Sequence, residues 1–154
     1  MILYLVQHGD SRPKEEDPEQ PLSEKGVADV RKVAAFLAQG PKITAPRLLH
    51  SGKKRARETA AIFAHTLKAA EGTAEESTLE PLADPEVWVN RLANENSDLM
   101  LVGHLPHLSG LAALLLCRDE AKKIVNFQRG GVAALGRDEN GTWSVHWMVI
   151  PGLL

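Results

Sequence analysis

Ile2-Leu3-Tyr4-Leu5-Val6-Gln7-His8-Gly9-Asp10 decides how the rest of the chain is read. Ile2 to Val6 is a short apolar run containing Ile, Tyr and Val, the composition of a strand buried on both faces. Gln7, His8, Gly9 and Asp10 follow without a spacer. A buried strand that stops this way sets an imidazole at the carboxyl edge of its sheet, where open α/β sheets bind ligands. Gly9 is expected to let the chain turn sharply and a ligand approach the backbone. On this stretch alone, a strand followed by an ordinary polar turn reads equally well.

Outward from there, the segment 10–21 is polar, rich in Pro, Glu and Asp, and reads as a loop over the strand edge. Ser23 is placed as the N-cap of a helix. Val27, Val30, Val33, Ala34 and Leu37 recur in it at helical spacing, and Gly40-Pro41 ends it. Arg47-Leu48-Leu49-His50 is a second short strand with Ser51-Gly52 as its exit. Ala56, Ala60, Phe63 and Leu67 mark one face of a second helix.

The region 72–84 is expected to hold one short strand near Thr78 and Leu79, then turns at Pro81 and Pro85. Residues 86–94 read as a short helix. Leu99-Met100-Leu101-Val102 is a buried strand ending in Gly103-His104. Leu105, Leu108, Leu111, Ala112 and Leu115 form the apolar face of the next helix, with Pro106 in its first turn. The tail reads as a hairpin, with Asn140-Gly141 between residues 132–135 and an alternating run from Trp143 to Val149. Trp143 and Trp147 are expected on one strand face, in the core. Strands alternating with helices predict an α/β fold: a three-layer α/β/α sandwich, mainly parallel, with an antiparallel C-terminal hairpin. Residues 1–154 are read as one domain.

Bulk properties narrow the function classes. A net charge of -2 gives no general attraction to nucleic acid or to an anionic membrane. Cys117 is the single cysteine, which leaves no disulfide framework and no cysteine-based zinc site. No apolar run reaches the roughly 20 residues that span a bilayer, and a cytoplasmic location is the expectation.

Three strand ends share a pattern. The first carries Gln7-His8-Gly9, the second leads into Ser51 and a helix bearing Arg55, and a later one ends in Gly103-His104. Parallel strands bring all three to one edge. Two histidines and an arginine gathered there form a cationic pocket, and helix starts behind Ser51 and Gly103 add backbone N–H groups. A phosphoryl group is its natural occupant, because guanidinium gives planar charge-assisted hydrogen bonds to its oxygens. A neutral imidazole can attack phosphorus.

These residues carry a resemblance to the histidine phosphatase superfamily (phosphoglycerate mutase-like), within it to the short phosphohistidine phosphatases. The resemblance runs through Gln7-His8-Gly9, Leu22-Ser23-Glu24-Lys25-Gly26, the set Ser51, Arg55, Ala56, Thr59 and Ala60, and Gly103-His104. It implies that His8 is a nucleophile transiently phosphorylated, that Arg55 clamps the phosphoryl oxygens, and that His104 contacts the same group as a cation. Gln7 and Gly9 would border the bound phosphoryl group. It implies no metal and no organic cofactor. Gln7 is a departure, since the family has Arg beside the nucleophile.

The implied partner is a phosphorylated protein bearing phosphohistidine. A small-molecule phosphomonoesterase of the same mechanism and a weakly active phospho-binding module are the alternatives. Glu80, Asp84 and Glu86 are the candidates for a general acid, with no motif to choose between them. His107, three residues after His104, could contribute to a metal site, though no paired carboxylate stands in register with it.

Overall fold

The opening apolar run is strand β1 (Ile2–Gln7), and it lies inside a six-stranded sheet. In chain order follow α1 (Glu24–Gln39), β2 (Arg47–His50), α2 (Lys54–Leu67), β3 (Thr73–Glu75), α3 (Glu86–Ala93), β4 (Leu99–Gly103), α4 (His107–Cys117), β5 (Val132–Arg137) and β6 (Trp143–Val149). These come from a computed structural model that describes residues 1–40, 43 and 46–154. Pro41, read as part of the first helix's stop, lies outside the described residues.

The strand order is β3-β2-β4-β1-β5-β6. β1, β4, β2 and β3 run parallel, whereas β5 pairs antiparallel with β1 and β6 antiparallel with β5. The predicted mixed sheet with its C-terminal hairpin is what the chain forms. Strand side chains alternate between two apolar layers. Tyr4, Val6, Leu48, Met100 and Val102 pack with Val30, Val33, Leu37 and Phe63 of α1 and α2. Leu3, Leu5, Leu49, Leu99 and Leu101 pack with Trp88, Leu92, Leu108 and Leu111 of α3 and α4. With helices burying both faces, ligand chemistry is confined to the strand ends. The register sets Gln7 opposite Gly103 and His50 opposite Val102, so three strands finish level.

Ser23 caps α1 as expected, its hydroxyl accepting from the Gly26 N–H at 3.0 Å. Gly26 is fixed by packing: a Cβ there would lie 2.0 Å from the Asp10 carbonyl oxygen. Gly9 is fixed in the same way, since its Cβ would meet Val30 at 2.8 Å and Leu22 at 3.0 Å. The Cβ direction of Gly9 faces α1, so close packing against that helix is one requirement for glycine at this position. The two glycines let β1's exit and α1's first turn touch backbone to backbone.

Three local expectations fail. The short strand is Thr73–Glu75, paired with β2 at the sheet's edge, while Ser77–Leu79 is a turn of 3₁₀ helix. An edge strand with exposed Ala74 and Glu75 carries no apolar alternation to reveal it. Leu79 is apolar because it plugs the α3–α4 layer as a single fully buried side chain. Leu105 is 41% exposed and precedes α4, whose N-cap is Pro106, so neither belongs to the helix as expected. Trp143 and Trp147 lie on opposite faces, one against each layer. A bulge sets Leu135 opposite Val145 but Ala134 opposite Trp147, and the extra residue on β6 reverses the alternation.

Candidate active site

His8 stands one residue past β1, its backbone N–H bonded to the Gly103 carbonyl of β4 at 3.1 Å. Its ring Nδ1 lies 2.7 Å from the Gly9 carbonyl oxygen. A carbonyl only accepts, so Nδ1 carries the hydrogen and Nε2 keeps a lone pair. The Arg55 Nε–H donates to that Nε2 at 3.2 Å. Both partners select the same tautomer, and they leave a neutral imidazole with its basic nitrogen beside a guanidinium.

Arg55 lies in the first turn of α2, and Thr59 one turn later locks that helix to β1. The Thr59 hydroxyl donates to the Arg55 carbonyl at 2.7 Å and accepts from the Gly9 N–H at 3.0 Å. His104, just past β4, completes the cluster. Its ring centroid is 4.8 Å from that of His8, the planes tilted by 53°. His104 Nε2 is 2.5 Å from the Ser51 hydroxyl, and Nδ1 is buried with no partner among the described residues. The structure thus brings His8, Arg55 and His104 together at the level strand ends.

Both imidazoles are poor bases here. Burial above all, then the charges of Arg55 and Arg129, lowers the His8 pKa to about 4, against the opposing pull of the Gly9 carbonyl and Asp10. Burial, then His8, Arg55, Lys53 and His107, lowers that of His104 to about 3. By itself the protein therefore favours a neutral His104, with no carboxylate among the described residues bonded to the ring to offset its desolvation; the cationic role implied for it belongs to the ring beside a bound phosphoryl group. Burial also pulls the Arg55 pKa down, with Glu80 opposing, though guanidinium stays charged at any working pH.

Gln7 is the last residue of β1, and its Oε1 is buried without a hydrogen-bond partner among the described residues. It borders a cavity of about 410 Å³ shared with Asp10, Leu105, Phe127 and Arg129. Of the three acid candidates, Glu80 alone adjoins the cluster. Its Oε1 accepts from the Gly52 N–H at 3.0 Å, and its Oε2 is 3.5 Å from Lys53 Nζ. Asp84 instead accepts the Glu86 N–H at the start of α3, at 2.9 Å. Glu86 faces a separate groove with Arg137 and Trp143.

His50 is buried at the end of β2 with Nδ1 2.7 Å from the Ser51 carbonyl oxygen. His107 is buried in α4 with both ring nitrogens unpartnered among the described residues. Asp10 receives the Ser23 hydroxyl at 2.6 Å and Arg129 Nη1 at 2.7 Å. Arg129 went unnoticed in the sequence because residues 118–131 carry no periodicity. The one available signal was a cation directly before Gly130-Gly131 and a strand.

Comparison with known proteins gives the family and the fold. The family model of the histidine phosphatase superfamily (branch 1) matches residues 3–82, a stretch that contains His8, Arg55 and Glu80. A sequence comparison with the curated proteins finds no match. Among solved structures, the protein histidine phosphatase SixA complexed with tungstate superposes with a TM-score of 0.84 at 24% identity, over 99% of each chain. The alpha-ribazole phosphatase from Shigella flexneri gives a TM-score of 0.79 at 14% identity, over 98% of this chain and 96% of that one. A phosphoserine phosphatase from Entamoeba histolytica, solved with phosphoserine, gives 0.71 at 12%, over 96% and 95%. The fold is common to all of these, and with the family model matching residues 3–82, the chain belongs to the histidine phosphatase superfamily and is a hydrolase of the phosphatase class.

Proposed function

We propose that this chain, acting as one domain over residues 1–154, is a phosphohistidine phosphatase that hydrolyses protein-borne phosphohistidine through a covalent phospho-His8 intermediate. The observation that carries the proposal is the bare Nε2 of His8. It is neutral, fixed in its tautomer by the Gly9 carbonyl, and adjacent to the cation that would receive phosphoryl oxygens. In the first step the Nε2 lone pair attacks phosphorus. The scissile P–N bond breaks and its electron pair stays as a lone pair on the departing nitrogen, so that a substrate ring protonated on its other nitrogen leaves as neutral imidazole with no proton transferred. In the second, water attacks phospho-His8, returning the electron pair to Nε2 and releasing orthophosphate.

Arg55 follows the phosphoryl oxygens through both steps. The unpartnered Nδ1 of His104 is a ready partner for one of them. A dianion between the rings would also favour the protonated form that His104 lacks by itself. Likeness to the protein histidine phosphatase SixA along essentially the whole chain supports a phosphoprotein substrate.

Glu80 favours a second reading. An alkoxide leaving group needs a proton where a departing imidazole can leave already protonated, and Glu80 is the acid candidate whose charge acts on Arg55. A small phosphoester would then be the substrate. A binding module has less support, because binding alone requires no nucleophile.

The deciding assay compares a phosphohistidine-bearing protein domain with p-nitrophenyl phosphate, using wild type, His8→Ala and Glu80→Gln. Phosphohistidine phosphatase activity predicts turnover of the protein substrate that His8→Ala abolishes and Glu80→Gln leaves nearly intact. Faster turnover of the ester, lost in Glu80→Gln, would establish the second reading. No turnover of either would leave the binding module.

A further inference from the structure

Arg129 lies outside everything assigned so far, yet it is fastened to the nucleophile's strand end. The Gly130 N–H donates to the carbonyl oxygens of both Gln7, at 3.0 Å, and His8, at 3.2 Å. Gly130 adopts a φ of +76°, a left-handed conformation that glycine takes without strain. This clip holds the Arg129 backbone beside the last residues of β1. The side chain is aimed by Asp10, two residues past His8, whose Oδ1 accepts from Arg129 Nη1 at 2.7 Å. Asp10 is itself held by the Ser23 hydroxyl on its other oxygen.

A guanidinium has five N–H donors, and Asp10 uses only one nitrogen of Arg129. The remaining nitrogens have no partner among the described residues, and the side chain is 57% exposed. Arg129 also shares the wall of one cavity with Gln7, the residue directly before the nucleophile. Gln7 offers that wall a neutral amide. A phosphoryl group carries up to two negative charges, and Arg55 is the one guanidinium bonded to His8. The charge of Arg129 reaches both His8 and Arg55, in keeping with this placement.

We propose that Arg129 is the second phosphoryl-binding guanidinium of the site, positioned by Asp10 and the Gly130 clip and carrying the positive charge that Gln7 does not supply. This inference rests on the phosphatase reading, and its test keeps the two apart. Inorganic phosphate is titrated calorimetrically into wild type, Arg129→Gln, Arg129→Lys, Gln7→Arg and the double variant Gln7→Arg/Arg129→Gln. kcat and KM are measured on the phosphohistidine domain in parallel, with His8→Ala as control.

The expected result is a loss of roughly tenfold or more in phosphate affinity and in kcat/KM for Arg129→Gln, the scale of one charge-assisted hydrogen bond. Lysine should retain part of both, and adding Gln7→Arg should restore much of what Arg129→Gln removes. His8→Ala should bind phosphate but turn nothing over. Unchanged phosphate affinity in Arg129→Gln, no rescue by Gln7→Arg, or no measurable phosphate binding by wild type would each overturn the inference. Turnover surviving in His8→Ala would overturn the covalent mechanism and leave the phosphate titration still decisive for Arg129.

Discussion

The Nε–H of Arg55 donates to Nε2 of His8 across 3.2 Å, so the guanidinium in the centre of the site is bonded to a neutral imidazole and not to a carboxylate. Together with burial, which lowers the His8 pKa most, the contact favours an unprotonated Nε2 and keeps a cation beside it. Removing the guanidinium should therefore act on both properties. Arg55→Ala is predicted to lower kcat/KM by roughly 10²–10³. It should also raise the His8 pKa from about 4, because the cation that opposes protonation is gone and the ring is better hydrated. A histidine NMR titration of wild type and Arg55→Ala reads the second effect directly. An equal or lower His8 pKa in the variant would mean that the contact does not set the protonation state.

Stability should fall on the acid side earlier than carboxylates alone would make it. His8 and His104 have folded pKa values near 4 and 3, below the ordinary 6.5. The unfolded chain therefore takes up protons first as pH drops. Stability is complete above about pH 6.5 and is lost as pH falls toward the folded values, by about 1.4 kcal/mol per pH unit for each such group. Urea denaturation at several pH values between 7 and 4.5 should show this slope, and His8→Gln/His104→Gln should flatten it. Parallel profiles for wild type and the double variant would contradict the burial of neutral imidazoles.

Gly26→Ala tests the contact that sets α1 against the exit of β1. In an exposed helix this change would stabilise by about 1 kcal/mol. Here the new Cβ would sit 2.0 Å from the Asp10 carbonyl oxygen, against backbone that cannot swing aside. The prediction is a lower Tm together with reduced turnover, since the displaced segment runs straight back to His8. A Tm at or above that of wild type would show that the two backbones can separate without cost.

His107 offers a contrasting case. Both ring nitrogens are buried without a hydrogen-bond partner among the described residues, and an unsatisfied buried polar group costs about 1–3 kcal/mol. His107→Phe, which keeps an aromatic ring of similar breadth, is predicted to retain or raise Tm at pH 7. A fall of several degrees would indicate that the imidazole has a role beyond packing.

The legibility of the chain followed the lengths over which its residues act. β1, β4, α1 and the C-terminal hairpin were readable because each repeats its apolar signal over several residues or carries a cap such as Ser23. β3 was missed because a three-residue edge strand buries almost nothing. The opposite facing of Trp143 and Trp147 turned on one bulged residue, which leaves no mark in the alternation before it.

In the site, His8, Arg55 and His104 were legible because each ends a strand or opens a helix, and the sheet edge gathers such positions. Glu80 could be separated from Asp84 and Glu86 only by its bond to the Gly52 N–H. Arg129 was invisible because its position depends on Gly130 reaching back to Gln7 and His8 across more than a hundred residues of chain. The packing demand on Gly9 was hidden for a related reason: the Val30 and Leu22 side chains that exclude a Cβ come from elsewhere in the sequence.

The covalent step proposed at His8 is open to direct observation. Wild-type protein mixed with a phosphohistidine-bearing domain, quenched within milliseconds at alkaline pH and mapped by mass spectrometry, should carry a phosphoryl group on the His8 peptide. The adduct should form faster than orthophosphate appears and be absent in His8→Ala. Orthophosphate release at the wild-type rate by His8→Ala, or turnover with no adduct at His8 on any quench time, would contradict the account.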